Sequence, residues 1–542
     1  MTQRARGLVL LIWLCFLARA GWHAVALPLW GGFDEFAHVA YAQRLAAGEG
    51  LPVPGVTRVS KEVQASLSLT PMPAVPLGSP HRTYAEYWTL PAKERVALRE
   101  ELDALPRAWA MEESPQGERS YQAQHPPLYY LALVPVQRAA SGVSLPGRVL
   151  GMRLATLLIA SLIVPLTSAV LVRAGGSPAA GAAGAALVAA LPMPVMTAAR
   201  VGNDGLGGVL FAALLWLAIG LEQRPHWGRA AAAGLVLGAG LLTKAYFLTA
   251  VPALAILWGW LVARNRQERG RTAASAVLMF AMAGAVSFWW YWRNLSLTGS
   301  WSGLQQLRGQ SPAGLADEAR QAAQTDWLRF ADIGFNTHLW VGQWSFLSLR
   351  SWIYELFLAV FAVAAAGLVV LLFRGRLGKE RVSRFAIAAA GLFCACFAMG
   401  LAYHELTFSR LGLSASAGWY TVALAAAEVL LLTFGWLALF PRRFWRWSLS
   451  TIVLLFAALD FYGANFLLTP FFTGLISYSP AGRLASFHLS QLSDGGLPVL
   501  LGRISAAGVV PAPAVAGLWI AYAAATIALP VLAWRVLRPM PD

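Results

Sequence analysis

Apolar runs of about 18 or more residues recur along the whole chain, and each is long enough to cross a hydrocarbon layer of about 30 Å as a helix. The first covers residues 7–30. Others lie at 149–172, 179–199, 206–221, 230–243, 246–262, 273–292, 353–373, 385–402, 419–440, 448–468 and 515–534. Together they predict an all-α polytopic membrane protein with about twelve transmembrane helices. The opening run exceeds a secretory h-region and is followed by no small-residue cleavage site, so it reads as a retained span. Runs 230–243 and 246–262 are short and read as a tight hairpin around Thr243 and Lys244. Residues 126–140 are apolar but short for a span, and read as an interfacial or re-entrant helix started by Pro126 and Pro127.

Between the first run and that short helix lies a long segment of mixed polarity, residues 31–124. Its periodicity predicts two amphipathic helices, 34–47 and 92–105, separated by a Pro-rich stretch. Composition agrees with the span count. Of 542 residues 58% are hydrophobic and 13% charged, against about 25% charged in soluble domains, and the mean hydropathy is +0.56. The net charge of +16 does not indicate nucleic-acid binding here, because the basic residues sit in short loops between apolar runs, as cytoplasmic connections require.

Those clusters are Arg4 and Arg6; Arg173; Arg224 and Arg229; Arg264, Arg266, Arg269 and Arg271; Arg374, Arg376, Lys379, Arg381 and Arg384; Arg442, Arg443 and Arg446; Arg535 and Arg538. An N-terminus inside puts all of them inside, provided that 126–140 does not cross. The opposite, extracytoplasmic face then carries the large first loop 31–124, the turn 200–205, Lys244, and segments 293–344, 403–418 and 469–513. Cys15, Cys394 and Cys396 all fall in apolar runs and form no disulfide or metal-binding pattern.

The outer face holds the candidate chemistry. Gly31-Gly32-Phe33-Asp34-Glu35-Phe36-Ala37-His38 follows the first span directly. Two adjacent carboxylates at a membrane boundary are costly unless solvated, paired or metal-bound. On a helix Asp34 and His38 share a face and Glu35 points about 100° away, which lets one acid act as a base while its neighbour holds a cation or orients a partner. An acidic helix N-terminus favouring the macrodipole explains the same residues equally well. His125-Pro126-Pro127-Leu128-Tyr129-Tyr130 returns the loop to the membrane, either as a held histidine or as a plain helix entry in an aromatic belt. Asn203-Asp204-Gly205 is ordinary turn chemistry if isolated. Lys244, in an apolar context, is a functional candidate against a snorkelling alternative. Arg293 ends a Trp-rich span and either binds an anion or anchors the interface.

Taken in order, Asp34-Glu35, His125-Pro126-Pro127-Leu128-Tyr129-Tyr130, Arg153-Leu154, Asn203-Asp204, Leu242-Thr243-Lys244 and Trp292-Arg293-Asn294 resemble the landmarks of the GT-C membrane glycosyltransferases. The likeness is to the bacterial branch related to protein O-mannosyltransferases and lipid A aminoarabinose transferases. It covers about the first 300 residues, and then rests on features such as Gly418-Trp419-Tyr420 opening a span. It implies a GT-C fold, with a transmembrane module over 1–300 that contains the catalytic loop 31–124, and more variable helices and outer loops over 301–542.

The implied reaction moves a sugar, with inversion, from a polyprenyl-phosphate donor to an acceptor outside the membrane. Asp34 is the implied general base and Glu35 its support. His38, His125, Asn203 and Asp204 line the site, and Lys244, Arg293, Arg410 and Arg483 are candidates to receive the phosphate. The resemblance leaves room for a divalent cation, Mg2+ or Mn2+, with Glu35, His125 and Asp204 as its candidate ligands. The Trp-Trp-Asp motif of oligosaccharyltransferases is absent. The acceptor is a glycan, lipid or protein, membrane lipids surround the chain, and the location is a bacterial inner membrane. Two rival readings are a transporter or flippase of envelope precursors, whose charges should line a path through the spans, and a non-catalytic scaffold of GT-C type.

Overall fold

The computed structural model describes residues 3–73, 82–175, 177–223, 226–304, 314–377, 380–412, 414–415, 417–479 and 482–536. Arg224, Lys379, Arg538 and part of the Pro-rich stretch of the first loop lie outside these residues. The described chain is helical apart from isolated bridges and one pair of two-residue strands, Arg376–Leu377 and Glu380–Arg381.

The helices used below are α1 (Gln3–Ala26), α2 (Glu35–Ala47), α3 (Leu128–Ala139), α4 (Leu145–Gly175), α5 (Pro178–Ala190), α6 (Pro192–Ala198), α7 (Asp204–Gln223) and α8 (Trp227–Leu241). They continue as α9 (Ala250–Arg264), α10 (Arg269–Thr298), α11 (Ser351–Arg374), α12 (Arg384–Ser409), α13 (Ala425–Leu439), α14 (Trp445–Tyr462) and α15 (Ala512–Val536).

Among the described residues ten helical stretches are long and apolar enough to cross a membrane, and an eleventh crossing is made if the bent pair α5–α6 is one span. The expected span 230–243 is the shortfall. Its helix, α8, has 15 residues, about 22 Å of rise against a core of about 30 Å. It nonetheless runs from one face to the other. At its start Arg229 donates to the Gly220 carbonyl at 2.9 Å. Just past its end, the carbonyls of Leu242 and Thr243 accept from Leu128 and Asn203. With α8 added as a short crossing, the ten or eleven become eleven or twelve among the described residues, against the twelve expected. By contrast α3, with 12 residues and about 18 Å of rise, is too short to cross. It packs on α2 as an interfacial element.

The two faces differ in chemistry. One gathers the arginine clusters: Arg173 lies over the Trp216 ring at 3.7 Å, Arg264 pairs with Glu222 at 3.3 Å and Arg446 lies over Trp534. The other carries the long loops. In the first of these, Ser60 caps Lys61–Leu69 and a Thr83/Glu86 capping box starts Tyr84–Thr89. A buried ion pair between Glu62 and Arg148, with Gln43 also donating to Glu62 at 2.9 Å, pins the loop onto the start of α4.

The small-residue helix α5 is buried on nearly every side and contacts α1, α13, α14 and α15. Small residues permit such close helix packing in lipid, where apolar burial alone does not drive association. The same device joins α11 to α13, where a Cβ on Gly367 would collide with the Gly435 carbonyl. The 68° bend between α5 and α6 follows from Pro192 and Pro194, which cannot donate to the preceding turn. Arg19 of α1 donates to the carbonyls of Ala189 and Ala190 at this break, so backbone groups freed by the bend are satisfied inside the protein. Arg19 also pairs with Asp460 of α14 at 2.8 Å, and Asp460 accepts further bonds from His23 and from Tyr522 of α15.

Candidate functional site

The segment after α1 is forced into an unusual path. Among the described residues, the non-glycine positions with left-handed backbone are Trp30 (φ 64°), Asp34 (φ 51°), Gln343 (φ 54°) and Phe346 (φ 49°). All four lie in two segments that touch: the Trp344 amide donates to the Gly31 carbonyl at 3.4 Å, and Phe33 packs against Phe346 and stacks on Trp419 at 4.7 Å. Such conformations cost of order 1–3 kcal/mol each and collect where a structure serves a function. Gly32 allows the approach to α6–α7, since a Cβ there would stand 2.9 Å from Arg200 Cβ.

The two adjacent acids have opposite fates. Glu35 is fully buried. Its oxygens accept from Arg153 Nε at 2.8 Å and Nη2 at 2.6 Å, and from the Val201 amide at 3.0 Å. Arg153 spends its remaining donors on the carbonyls of Ala24, Leu27 and Pro28, at and just beyond the end of α1, where the helix's own amides no longer reach. Glu35 thereby fastens α2 to α4 and to the end of α1.

Asp34 occupies the N-cap of α2 but does not cap it. An aspartate in that position ordinarily accepts from the amide of N2 or N3, and the left-handed backbone turns this one away. Its side chain hydrogen-bonds to Gln122 and lies in the fields of Arg200, Lys244 and Asp204. The reading of Asp34 as a plain helix-start acid loses its usual signature.

Behind Asp34 stands a buried three-membered ion cluster. Asp204, at the start of α7, accepts from Arg200 Nη2 at 2.8 Å and from Lys244 Nζ at 2.6 Å. Arg200 also donates to the Phe33 carbonyl at 3.1 Å, one residue before Asp34. Lys244 lies 4.7 Å above the Tyr420 ring and 5.3 Å above that of Tyr246. Asn203 donates to the Thr243 carbonyl and leaves its buried Oδ1 without a partner among the described residues. Two cations against one buried acid leave a net positive charge beside the Asp34 carboxyl.

The histidines complete the wall. His38 bonds through Nδ1 to the Tyr130 hydroxyl at 2.9 Å, and its ring lies parallel to that of His125 with centroids 6.4 Å apart. Burial pushes the Asp34 carboxyl up to about 6, against the opposing pull of Arg200, Lys244 and the Gln122 hydrogen bond. Burial likewise holds His125 down to about 3, with Lys244 adding to the effect, and holds His38 well below its ordinary value, with Arg200 adding. Both imidazoles are therefore neutral at pH 7, and the positive charge of the site resides on Arg200 and Lys244.

The structure thus brings together Asp34, His38, His125, Asn203, Asp204 and Lys244, with Glu35 sealed behind them. Arg293, on α10, stands one layer out: it donates to the Pro52 carbonyl at 2.8 Å and covers the Trp290 ring. Arg410 is occupied elsewhere, paired with Glu318 at 2.8 Å, and Arg483 sits exposed in the loop between α14 and α15. Among the described residues no three His, Cys, Asp or Glu side chains converge as a cation site requires. Glu35, His125 and Asp204 do not fit as a ligand set, because the oxygens of both acids are already taken by cations and an amide. Sequence reading missed Arg200 and Gln122. The spacing Arg200 to Asp204 carried a weak pairing signal; nothing local marked Gln122.

A family described as "Predicted membrane protein (DUF2142)" matches residues 16–411. No curated protein matches the chain. Among solved structures, it is similar to ArnT from Cupriavidus metallidurans bound to undecaprenyl phosphate, at 14% identity and a TM-score of 0.46, over 98% of this chain and 76% of that one. The apo form of that protein gives 14% and 0.37, over 88% and 74%. Arabinosyltransferase EmbB from Mycobacterium smegmatis gives 13% and 0.43, over 99% of this chain and 41% of EmbB. These likenesses assign no role to any residue.

Proposed function

We propose, from the premise that this chain belongs to the DUF2142 family of membrane proteins, that it is an inverting glycosyltransferase. In this reading it moves a sugar from a polyprenyl-phosphate donor to an acceptor on the extracytoplasmic side of a bacterial inner membrane. The observation that carries the reading is Asp34: a half-buried acid with its carboxyl pushed up to about 6, beside Gln122 and beside two cations gathered on one buried acid.

The chemistry follows from that arrangement. The acceptor hydroxyl gives its proton to the Asp34 carboxylate, and its oxygen attacks the anomeric carbon on the face opposite the phosphate. The bond from that carbon to the phosphate oxygen breaks, and its electron pair leaves with the polyprenyl phosphate. Arg200 and Lys244 stabilise the charge developing there, and Arg293, one layer out, is a further candidate cation for the lipid phosphate. A base works best with a pKa near the operating pH, which burial gives Asp34. The charge cluster lies where spans meet the loop-rich face, a position that lets the isoprenoid tail stay in the bilayer while phosphate and sugar reach the charges. Arginine clusters on the opposite face support an outward-facing site. No step runs through a divalent cation.

The test is Asp34→Asn in membranes supplied with labelled polyprenyl-phosphate sugar. Loss of transfer with normal membrane insertion supports the reading; unchanged transfer removes Asp34 as the base.

A further inference from the structure

Away from the Asp34 cluster, a groove of about 680 Å3 opens between α11 and α14 and is roofed by residues 484–488. Its size falls within the range of about 300–1,000 Å3 typical of small-molecule sites. The walls are apolar, with Leu356 and Phe357 on α11 and Leu455 and Leu459 on α14. The floor is closed where Phe357 packs on Phe456 at 4.8 Å between ring centroids. The groove lies in the half of the molecule that bears the long loops, since α11 starts there and α14 ends there.

The mouth is basic. Arg350, the N-cap of α11, lines it, and its guanidinium makes no ion pair or hydrogen bond among the described residues. His488 lines the opposite side, and exposed Arg483 stands one residue before the roof. No aspartate or glutamate is among the lining residues. An exposed, unpaired arginine above an apolar slot between two spans is complementary to one kind of molecule: an anionic head with a hydrocarbon tail.

We infer that this groove is a binding site for one anionic phospholipid of the leaflet on the loop-rich face, its phosphate on Arg350 and an acyl chain between α11 and α14. The site has a structural consequence. Arg350 lies four residues beyond Phe346, which packs on Phe33 beside Asp34, so the bound lipid braces the segment that shapes the candidate site. The inference does not depend on the proposed reaction.

The test uses the full chain in detergent, washed of lipid and then offered equal amounts of phosphatidylglycerol and phosphatidylcholine, with retained lipid counted by native mass spectrometry. One phosphatidylglycerol should be retained per chain in preference to phosphatidylcholine. Arg350→Gln, an exposed change that leaves the core intact, should weaken retention about tenfold, the loss of one charge-assisted hydrogen bond. Ala458→Trp, which fills the slot, should abolish it. Retention without headgroup preference, or unchanged in Arg350→Gln, overturns the site. Displacement of phosphatidylglycerol by an equal amount of polyprenyl phosphate assigns the groove to the isoprenoid lipid and overturns the phospholipid assignment.

Discussion

Two of the buried charge clusters among the described residues are built differently. In the cluster between α1, α14 and α15, Asp460 accepts from Arg19, His23 and Tyr522, and Arg19 closes the break between α5 and α6. In the cluster beside α2, Asp204 gathers Arg200 and Lys244, but Asp34 next to it is left with Gln122 and a strained backbone. Burial of charge in a membrane protein is commonly read as function. The contrast shows a better criterion: the structural acid has its acceptor sites filled by side chains from several helices, whereas the candidate base retains an acceptor for something else. Glu35 belongs with Asp460 by this criterion, though it is adjacent in sequence to Asp34.

Substitutions can break or sharpen that contrast. The largest effect is expected at Asp34, where Asn should lower the rate of sugar transfer about 10²–10⁴-fold, the usual contribution of a general base, without changing detergent stability. Asp460→Asn should do the reverse. It leaves Arg19 buried without its counter-charge, a loss of about 3–5 kcal/mol visible as a lower unfolding midpoint, while the rate per folded molecule holds. If Asp460→Asn also abolished transfer in fully folded protein, the division between the clusters would fail. Lys244→Gln should cost about 10²–10³-fold in rate if the ammonium meets the departing phosphate, measured in single turnover with saturating donor. The smallest effect belongs to Arg410→Ala. It removes a partly exposed pair with Glu318, worth about 1 kcal/mol or less, and transfer should stay within about twofold.

Much of this architecture was legible in the pattern of apolar runs, because lipid permits only helices that satisfy their own backbone. Periodicity also placed α2, found at Glu35–Ala47, and the helix Ala92–Asp103. The helices Lys61–Leu69 and Tyr84–Thr89 were not foreseen, being too short for periodicity to register, although Thr83 and Glu86 form a capping box that a local scan can find. At the site, sequence order singled out Asp34, Glu35, Asp204 and Lys244, but not their partners. Glu35 meets Arg153 across 118 positions of chain, and Asp204 meets Lys244 across 40. Pairings at such separations arise from tertiary packing, so an acid that fastens helices and an acid free to take a proton look alike in sequence. Arg410 and Arg483 were grouped with the site by sidedness alone, and a shared face does not make a shared pocket.

The central claim is that Asp34 is an ionisable base with its carboxyl near 6. A base must be deprotonated to accept a proton, so activity should be full above that value and fall as the pH drops through it. The most direct measurement is the pH dependence of single-turnover sugar transfer by the unaltered protein. The account predicts a plateau above an inflection near 6 and a loss of about tenfold per pH unit below it, with the inflection absent from the residual rate of Asp34→Asn. A rate that stays level through that inflection, or an inflection that persists in the Asn variant, contradicts it.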